Sequence, residues 1–331
     1  MVFGMFSDGD IIGKSPALQE VLAAADKMAT SHARVLVTGE TGTGKELLAR
    51  RLHAGSPRKS GPFIAINCAA LPAPLLESEL FGHVKGAFTA AHRTHEGLIA
   101  AAAGGTLFLD EIADMPAPLQ AKLLRFIENG TFRKVGSTEE ERADVRVIAA
   151  THGDLKSAAA AGAFRVDLYY RLSVLTLEMP PLRARKEDIP QLAEHFLRRY
   201  SVAEGKDFAE IAPEAAARLS AYPWPGNIRE LQNALHKIVV LHAGVTLTAA
   251  MAESVLPQNA RVVGENIITL GAASEASVRP LWQVQKDAIE TAIRLCGGNI
   301  PRAAALLRVS PSTLYRRRGV GSTDSEDISI S

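Results

Sequence analysis

Gly39-Glu40-Thr41-Gly42-Thr43-Gly44-Lys45 follows the apolar run Val35-Leu36-Val37 and leads into the helix-like Glu46-Leu47-Leu48-Ala49-Arg50-Arg51-Leu52. The order is strand, glycine loop, helix. Three glycines let successive backbone N–H groups turn inward around phosphate oxygens, the new helix offers its positive end, and Lys45 supplies a point charge for the β- and γ-phosphates. All fixed positions of G-x-x-x-x-G-K fall in the required context, which separates the stretch from an ordinary glycine-rich turn. Glu46 stands where that pattern has Ser or Thr, so no hydroxyl can hold magnesium from that position.

Working outward, Ile11-Ile12-Gly13-Lys14-Ser15-Pro16 leads into Ala17 to Ala29, where Leu18, Val21, Leu22 and Ala25 recur at helical spacing. Short apolar runs follow at Phe63 to Ile66, Thr106 to Leu109, Val145 to Ala149 and Val174 to Leu177, separated by helical patterning such as Leu119 to Ile127. This alternation predicts an α/β nucleotide-binding domain, a parallel sheet with helices on both faces. The run Leu107-Phe108-Leu109 ends in Asp110-Glu111. Two acids at the carboxyl end of a strand downstream of a phosphate loop suit a magnesium-bound nucleotide, Asp110 holding Mg2+ through water and Glu111 polarising the attacking water.

Between these motifs, Glu79-Leu80-Phe81-Gly82-His83-Val84-Lys85-Gly86-Ala87-Phe88-Thr89-Ala90-Ala91 reads as a protruding loop with an apolar tip or as a buried turn. From Pro180 onward helical patterning without strands sets in. Ile189, Leu192 and Phe196 share one face, as do Ile228, Leu231, Leu235, Ile238 and Val239, which predicts a small helical lid.

The 331 residues are long enough for two or three domains, and 47% hydrophobic content suffices for their cores. The net charge of +1 conceals an uneven distribution: residues 279 to 319 carry eight Lys/Arg against two acids, a local charge of +6. Here the segment Trp282 to Leu295 has a helical face ending at Gly297-Gly298. Asn299 is placed as an N-cap before the short helix Ala303 to Leu307, and Ser310-Pro311 starts another helix to Arg318. Together they predict a helix-turn-helix whose second helix offers Ser312, Thr313, Tyr315, Arg316 and Arg317 to DNA; a small structural cap is the alternative. Cys68 and Cys296 lack metal-ligand spacing and read as buried thiols of a reducing compartment. The chain shows neither a leader pattern nor an apolar window of membrane-spanning length, giving the expectation of a cytoplasmic protein with no membrane partner.

Taken together, Gly39 to Glu46, Glu79 to Ala91, Gly104-Gly105-Thr106-Leu107-Phe108-Leu109-Asp110-Glu111 and Trp224-Pro225-Gly226-Asn227-Ile228-Arg229-Glu230 resemble the bacterial enhancer-binding proteins, the AAA+ activators of sigma-54 RNA polymerase. The resemblance covers residues 11 to about 242, and Glu46 is the usual residue of that family after the lysine. It implies an ATPase that binds ATP and Mg2+ through Gly39, Glu40, Thr41, Gly42, Thr43, Gly44, Lys45, Glu46, Asp110, Glu111 and Arg229. It further implies that Asn67 holds the catalytic glutamate inactive and that Thr151 and His152 sense the γ-phosphate. Arg165 and Arg171 match arginine fingers that reach a neighbouring subunit, which implies a homo-oligomeric ring with a hexamer as the expected size. Gly86, Ala87, Phe88, Thr89, Ala90 and Ala91 match the loop that touches sigma-54 in the polymerase holoenzyme. The C-terminal segment resembles the Fis-type domain that places such proteins on enhancer DNA.

Two positions depart from the family pattern: Ala90 replaces a glycine in the loop, and Ala100 replaces a glutamate thought to link the nucleotide site to that loop. Both bear on coupling and leave the hydrolytic set intact. The expected organisation is a short segment 1–10, an ATPase subdomain 11–180, a lid 181–255, a linker 256–278, a helix-turn-helix 279–319 and a disordered tail 320–331. With no sensor domain fitting before Ile11, control is expected from a regulator protein in trans, from expression level, or from a domain outside this stretch. The alternative function is a DNA-binding regulator that keeps the AAA+ body without remodelling sigma-54; an AAA+ remodeller or motor for another substrate has no sequence feature of its own.

Overall fold

A computed structural model describes residues 11–89, 91–256, 289–294, 296, 297, 299–307, 309, 310, 312 and 314, in two units divided between Ala260 and Arg261. In the first, helix α1 (Pro16–Ala29) precedes strand β1 (Val35–Thr38), and α2 (Lys45–Ala54) follows the glycine loop. Next come β2 (Phe63–Asn67), α3 (Ala73–Phe81), the short α4 (Leu98–Ala101), β3 (Thr106–Asp110) and α5 (Ala117–Asn129). Strand β4 (Arg146–Thr151), helices α6 (Leu155–Ala160) and α7 (Val166–Leu172), and β5 (Leu175–Glu178) complete the α/β part. The five strands form one sheet in the order β2-β3-β4-β1-β5, with every neighbour parallel.

Alternation along the strands divides the core between the two faces of this sheet. Leu107, Leu109, Val147 and Ala149 face a cluster that includes Leu76, Leu80, Leu123 and Leu168 from the helices. Phe108, Ile148, Val35 and Val37 point the opposite way, into Leu18, Leu22, Leu48 and Leu52 of α1 and α2. Both faces are therefore covered, as the uninterrupted apolar strands require. Register then aligns the strand ends: Thr38 pairs with Thr151, and Asn67 with Asp110. The glycine loop, the two acids and Thr151 thus emerge at one carboxyl edge, where open parallel sheets bind ligands.

Among the described residues, four helices build the lid: α8 (Ile189–Ala203), α9 (Pro213–Ala221), α10 (Asn227–Leu241) and α11 (Ala249–Val255). Their apolar faces meet around Leu192, Phe196, Leu231, Leu235 and Trp224, and the Trp224 indole N–H donates to Leu219 O at 2.7 Å. The expectation of a lid without strands is corrected. Glu210–Ile211 pairs in parallel with Thr246–Leu247, a pairing too short for sequence periodicity to register. Asp188, fully buried, accepts hydrogen bonds from Lys14 N–H at 2.7 Å, Ser15 N–H at 2.8 Å and Ser15 Oγ at 2.7 Å, tying the start of α1 to the lid.

The second unit is described through helical residues 289–294 and helix α12 (Ile300–Leu306), with Ala292, Ala303, Ala304 and Leu314 buried together. Asn299 does cap α12, its Oδ1 accepting from Arg302 N–H at 3.1 Å. Ser312 is helical and exposed. Thr313, Tyr315, Arg316 and Arg317 lie outside the described residues, as do residues 1–10, the expected linker from 257 on and the tail 320–331. Cys68 is buried, whereas Cys296 is only half-buried, and both are free thiols.

Replacing Asp188 by Ala strands three donors, each costing about 1–3 kcal/mol when buried without a partner. Urea denaturation of D188A is expected to show a loss of more than about 2 kcal/mol in the first unit; a midpoint unchanged from the parent would remove Asp188 from this role.

Candidate active site

The glycine loop closes over the carboxyl end of β1 because its backbone enters conformations that side chains resist. Gly39, Gly42 and Gly44 have φ of 144°, 80° and 101°. A Cβ on Gly42 would also stand 2.4 Å from the Gly226 carbonyl oxygen, so the position is closed on two counts. Lys45 opens α2 and is 7% exposed, its ammonium donating to Gly39 O at 2.9 Å and lying 3.7 Å from the Glu111 carboxylate. Glu46 turns to Arg50, which donates to it from both Nε and Nη2.

The lid reaches the same loop through contacts that sequence patterning does not predict. Asn227, buried and with φ of 54°, donates from its amide to Thr41 O at 3.0 Å and to the Glu40 carboxylate at 3.1 Å. Ile228 N–H donates to Gly42 O at 3.0 Å. Arg183 forms a bidentate pair with Glu40, and Arg185 Nη2 donates to Thr43 O at 2.9 Å from a fully buried position. These pairs join residues about 140 to 190 positions apart, beyond the reach of any local sequence signal.

Opposite the loop stand the two acids. Glu111 leaves β3 in the left-handed region, φ 50° and ψ 50°, which swings its carboxylate toward β4. There His152 N–H donates to Glu111 Oε2 at 3.2 Å, and His152 Nδ1 lies 2.6 Å from the same oxygen; a carboxylate only accepts, so Nδ1 carries the proton. Burial would raise the Glu111 carboxyl, yet the His152 hydrogen bond and the Lys45 charge hold it below the usual glutamate value. Asp110 moves the other way, pushed up by burial and by the Glu111 charge. Behind them, burial and then the charges of Asp110, Asp114 and Glu111 push the Cys68 thiol up to about 12, leaving it unreactive. Asn67 sits beside Asp110 at the end of β2, and its amide oxygen accepts from Ala69 N–H at 2.9 Å. Thr151 is fully buried, with its hydroxyl oxygen accepting from Gly153 N–H.

The walls enclose a cleft of about 580 Å³ lined by Thr41, Gly42, Gly44, Lys45, Glu46, Asp110, Glu111 and Arg229, a volume typical of small-ligand sites. It adjoins a smaller slot of about 80 Å³ that shares Gly44, Leu47, Ile228 and Gln232 with it and sets Ile11, Ile12, Met179, Leu192 and Phe196 beside the polar Thr43, Arg185, His195 and Arg199. A polar cleft continued by a slot with an apolar side suits a phosphate chain joined to a flat ring. Arg165 and Arg171 line neither. Arg165 is the N-cap of α7 and Arg171 lies in its last turn, both exposed, in ion pairs with Asp167 at 2.7 Å and Glu128 at 3.2 Å respectively. Of the loop residues, Gly82–His83 pairs antiparallel with His95–Glu96, Phe88 is 43% exposed, Ala91 is buried, and Ala90 lies outside the described residues. No described helix is long and apolar enough to cross a membrane.

Comparison with known families agrees with this architecture. The sigma-54 interaction domain matches residues 11–178, the AAA+ ATPase lid domain residues 183–265, and the Fis family of bacterial regulatory proteins residues 280–319. The chain belongs to the sigma-54-dependent transcriptional activators: it is an AAA+ ATPase with a DNA-binding helix-turn-helix. Its relatives include the regulatory protein LuxO of Vibrio cholerae serotype O1, 50% identical over 309 residues that span 92% of this chain and 68% of the relative. The transcriptional regulatory protein ZraR of Escherichia coli K12 is 47% identical over 307 residues, spanning 93% and 68%. Among solved structures, NtrX from Brucella abortus in complex with ATP has a TM-score of 0.69 at 33% identity, covering 96% of this chain and 70% of that one; its ADP complex has the same score at 34% identity.

Changing Gly42 to Ala sets a methyl group against the Gly226 carbonyl at a strained φ. G42A is expected to weaken nucleotide binding at least tenfold, read by fluorescent ATP titration, and an unchanged Kd would show that the loop tolerates displacement from the lid.

Proposed function

We propose that a ring of these chains, tethered to enhancer DNA by the C-terminal unit, hydrolyses ATP to remodel sigma-54 RNA polymerase holoenzyme. The observation carrying this reading is the division of the machinery. Lys45, Asp110, Glu111 and Arg229 share one cleft, whereas Arg165 and Arg171 stand exposed away from it. A second chain could bring those guanidiniums to the γ-phosphate, as an arginine finger does. The loop with half-exposed Phe88 would then carry the work to sigma-54, in the cytoplasm where the polymerase acts.

Within one subunit, the Gly39–Lys45 backbone and the Lys45 ammonium would hold the β- and γ-phosphates, Arg229 would close over them from the lid, and the slot would take the base. Magnesium fits this donor set: of the three carboxylates lining the cleft, Glu46 is paired with Arg50 and Glu111 with His152 and Lys45, which leaves Asp110 outside these ion pairs, and magnesium commonly takes one or two protein carboxylates with phosphates and water. The ion would neutralise charge on the phosphates. Glu111 would take a proton from the attacking water after leaving His152, since a carboxylate held by two hydrogen bonds is a weak base. Asn67 and Thr151, at the ends of the strands on either side of β3, are proposed to relay the state of the γ-phosphate to Glu111. Ser312, with Thr313, Tyr315, Arg316 and Arg317, would contact DNA, and a regulator in trans would govern assembly.

Glu111→Gln is expected to keep ATP binding while lowering turnover by about two to four orders of magnitude, the range for losing a positioned general base. Near-parental turnover would remove Glu111 from that place. If the fingers act between subunits, turnover per chain rises with protein concentration, and mixing K45A with R171A chains restores activity that neither has alone. Activity that persists unchanged in dilute monomer contradicts the shared site. On DNA, the R316A/R317A pair should bind more weakly, and for every phosphate no longer neutralised the slope of log K against log salt flattens by about 0.9; unchanged affinity would favour a structural cap.

A further inference from the structure

The loop that carries Phe88 is braced from outside and closed upon itself. At its root, Gly82 pairs with Glu96 and His83 with His95 in antiparallel register. A third segment adds to this ribbon: Val84 N–H donates to Val135 O at 3.1 Å, and Val135 N–H to Gly82 O at 2.8 Å. Gly136, with φ of 80°, lies so close that a Cβ there would meet the Ala87 methyl group at 2.7 Å. At the tip, Ala91 N–H donates to Phe88 O and Gly86 N–H to Ala91 O, both at 2.9 Å. The tip is therefore a compact turn.

Phe88 does not simply point into solvent from this turn. Its ring meets the His83 imidazole edge-on, with centroids 4.9 Å apart and planes at 60°. His83 is held in this position from two other sides. Its Nδ1 lies 2.8 Å from the hydroxyl of buried Ser78 on α3, and its ring stands 5.5 Å from that of His95 across the ribbon. A side chain anchored at the root of the loop thus holds the most exposed aromatic ring of the tip. Phe88 cannot lie on His83 and also bury that face in a partner, so the two arrangements exclude each other.

We propose that His83 is a positioning residue that parks Phe88 against the loop root, so that engagement of sigma-54 requires this ring pair to open. The inference rests on the reading that Phe88 contacts sigma-54, and it adds the interaction that holds the loop back. An edge-on aromatic pair biases the parked pose by roughly two- to tenfold, enough to tune an encounter without blocking it. The bias acts only while Phe88 is parked, and so it disappears in any nucleotide state that lifts the loop.

The test uses the full chain with 4-fluorophenylalanine at position 88, as the parent and as His83→Asn and His83→Ala. Asn removes the ring but keeps a hydrogen-bonding group near Ser78, so it carries the test if the Ala variant fails to fold. Losing the ring should move the fluorine resonance toward its solvent-exposed position, and ADP–aluminium fluoride should move the parent the same way. Sigma-54 binding without nucleotide should rise roughly two- to tenfold in both variants, with the increase abolished by ADP–aluminium fluoride and ATP turnover changed less than about twofold. A fluorine resonance unchanged by both substitutions, or an affinity increase equal in both nucleotide states, would overturn the proposal. If the resonance moves but no form binds sigma-54 in any state, the parking interaction stands and the assignment of the partner fails.

Discussion

The cleft of the first unit is shaped by one constraint above others, the grip of the lid on the phosphate loop. Asn227 gives its amide to Thr41 O and Glu40, Ile228 N–H meets Gly42 O, and Arg183 and Arg185 take Glu40 and Thr43 O. The loop is thus shaped from both sides, by β1 and α2 below and by the lid above. Gly42 has room for no side chain because the lid backbone already fills that space. A nucleotide bound against this loop would therefore also press on the lid, which couples binding to lid position.

The second constraint lies across the cleft. Glu111 occupies a left-handed conformation that brings its carboxylate to His152 and within 3.7 Å of Lys45. Held in this way its basicity is low, and in the proposed reaction it would have to exchange His152 for water. On that proposal this geometry would restrain hydrolysis until the γ-phosphate rearranged the strand ends. The proposed parking of Phe88 on His83 would be a comparable restraint, since a ring from the root of the loop lies against the face that a partner would need.

Much of this was legible in the sequence, because the signals were local. Gly39 to Lys45 carries its strand, loop and helix within about twenty residues, and Asp110-Glu111 follows an apolar run directly. The parallel sheet followed from apolar runs spaced by helical segments, and Asn299 was readable as a cap from its neighbours. What escaped was long-range. Asp188 holding Ser15, Arg185 on Thr43 and Asn227 on Glu40 join residues some 140 to 190 apart and leave no periodic trace. The Glu210–Ile211 pair was missed because two residues cannot show alternation. The slot beside the cleft was likewise invisible, since Ile11, Met179 and Phe196 meet only after the lid folds down.

The central claim is that ATP turnover in this cleft drives a sigma-54 polymerase, and transcription from a sigma-54 promoter with purified components tests it most directly. Full-length transcript should accumulate with the parent protein and ATP, and should vanish with a non-hydrolysable analogue although the protein still binds both nucleotide and DNA. Transcript levels that are the same with and without hydrolysable ATP, or that never rise above those of polymerase alone, would contradict the account and leave a DNA-binding regulator with an ATPase body.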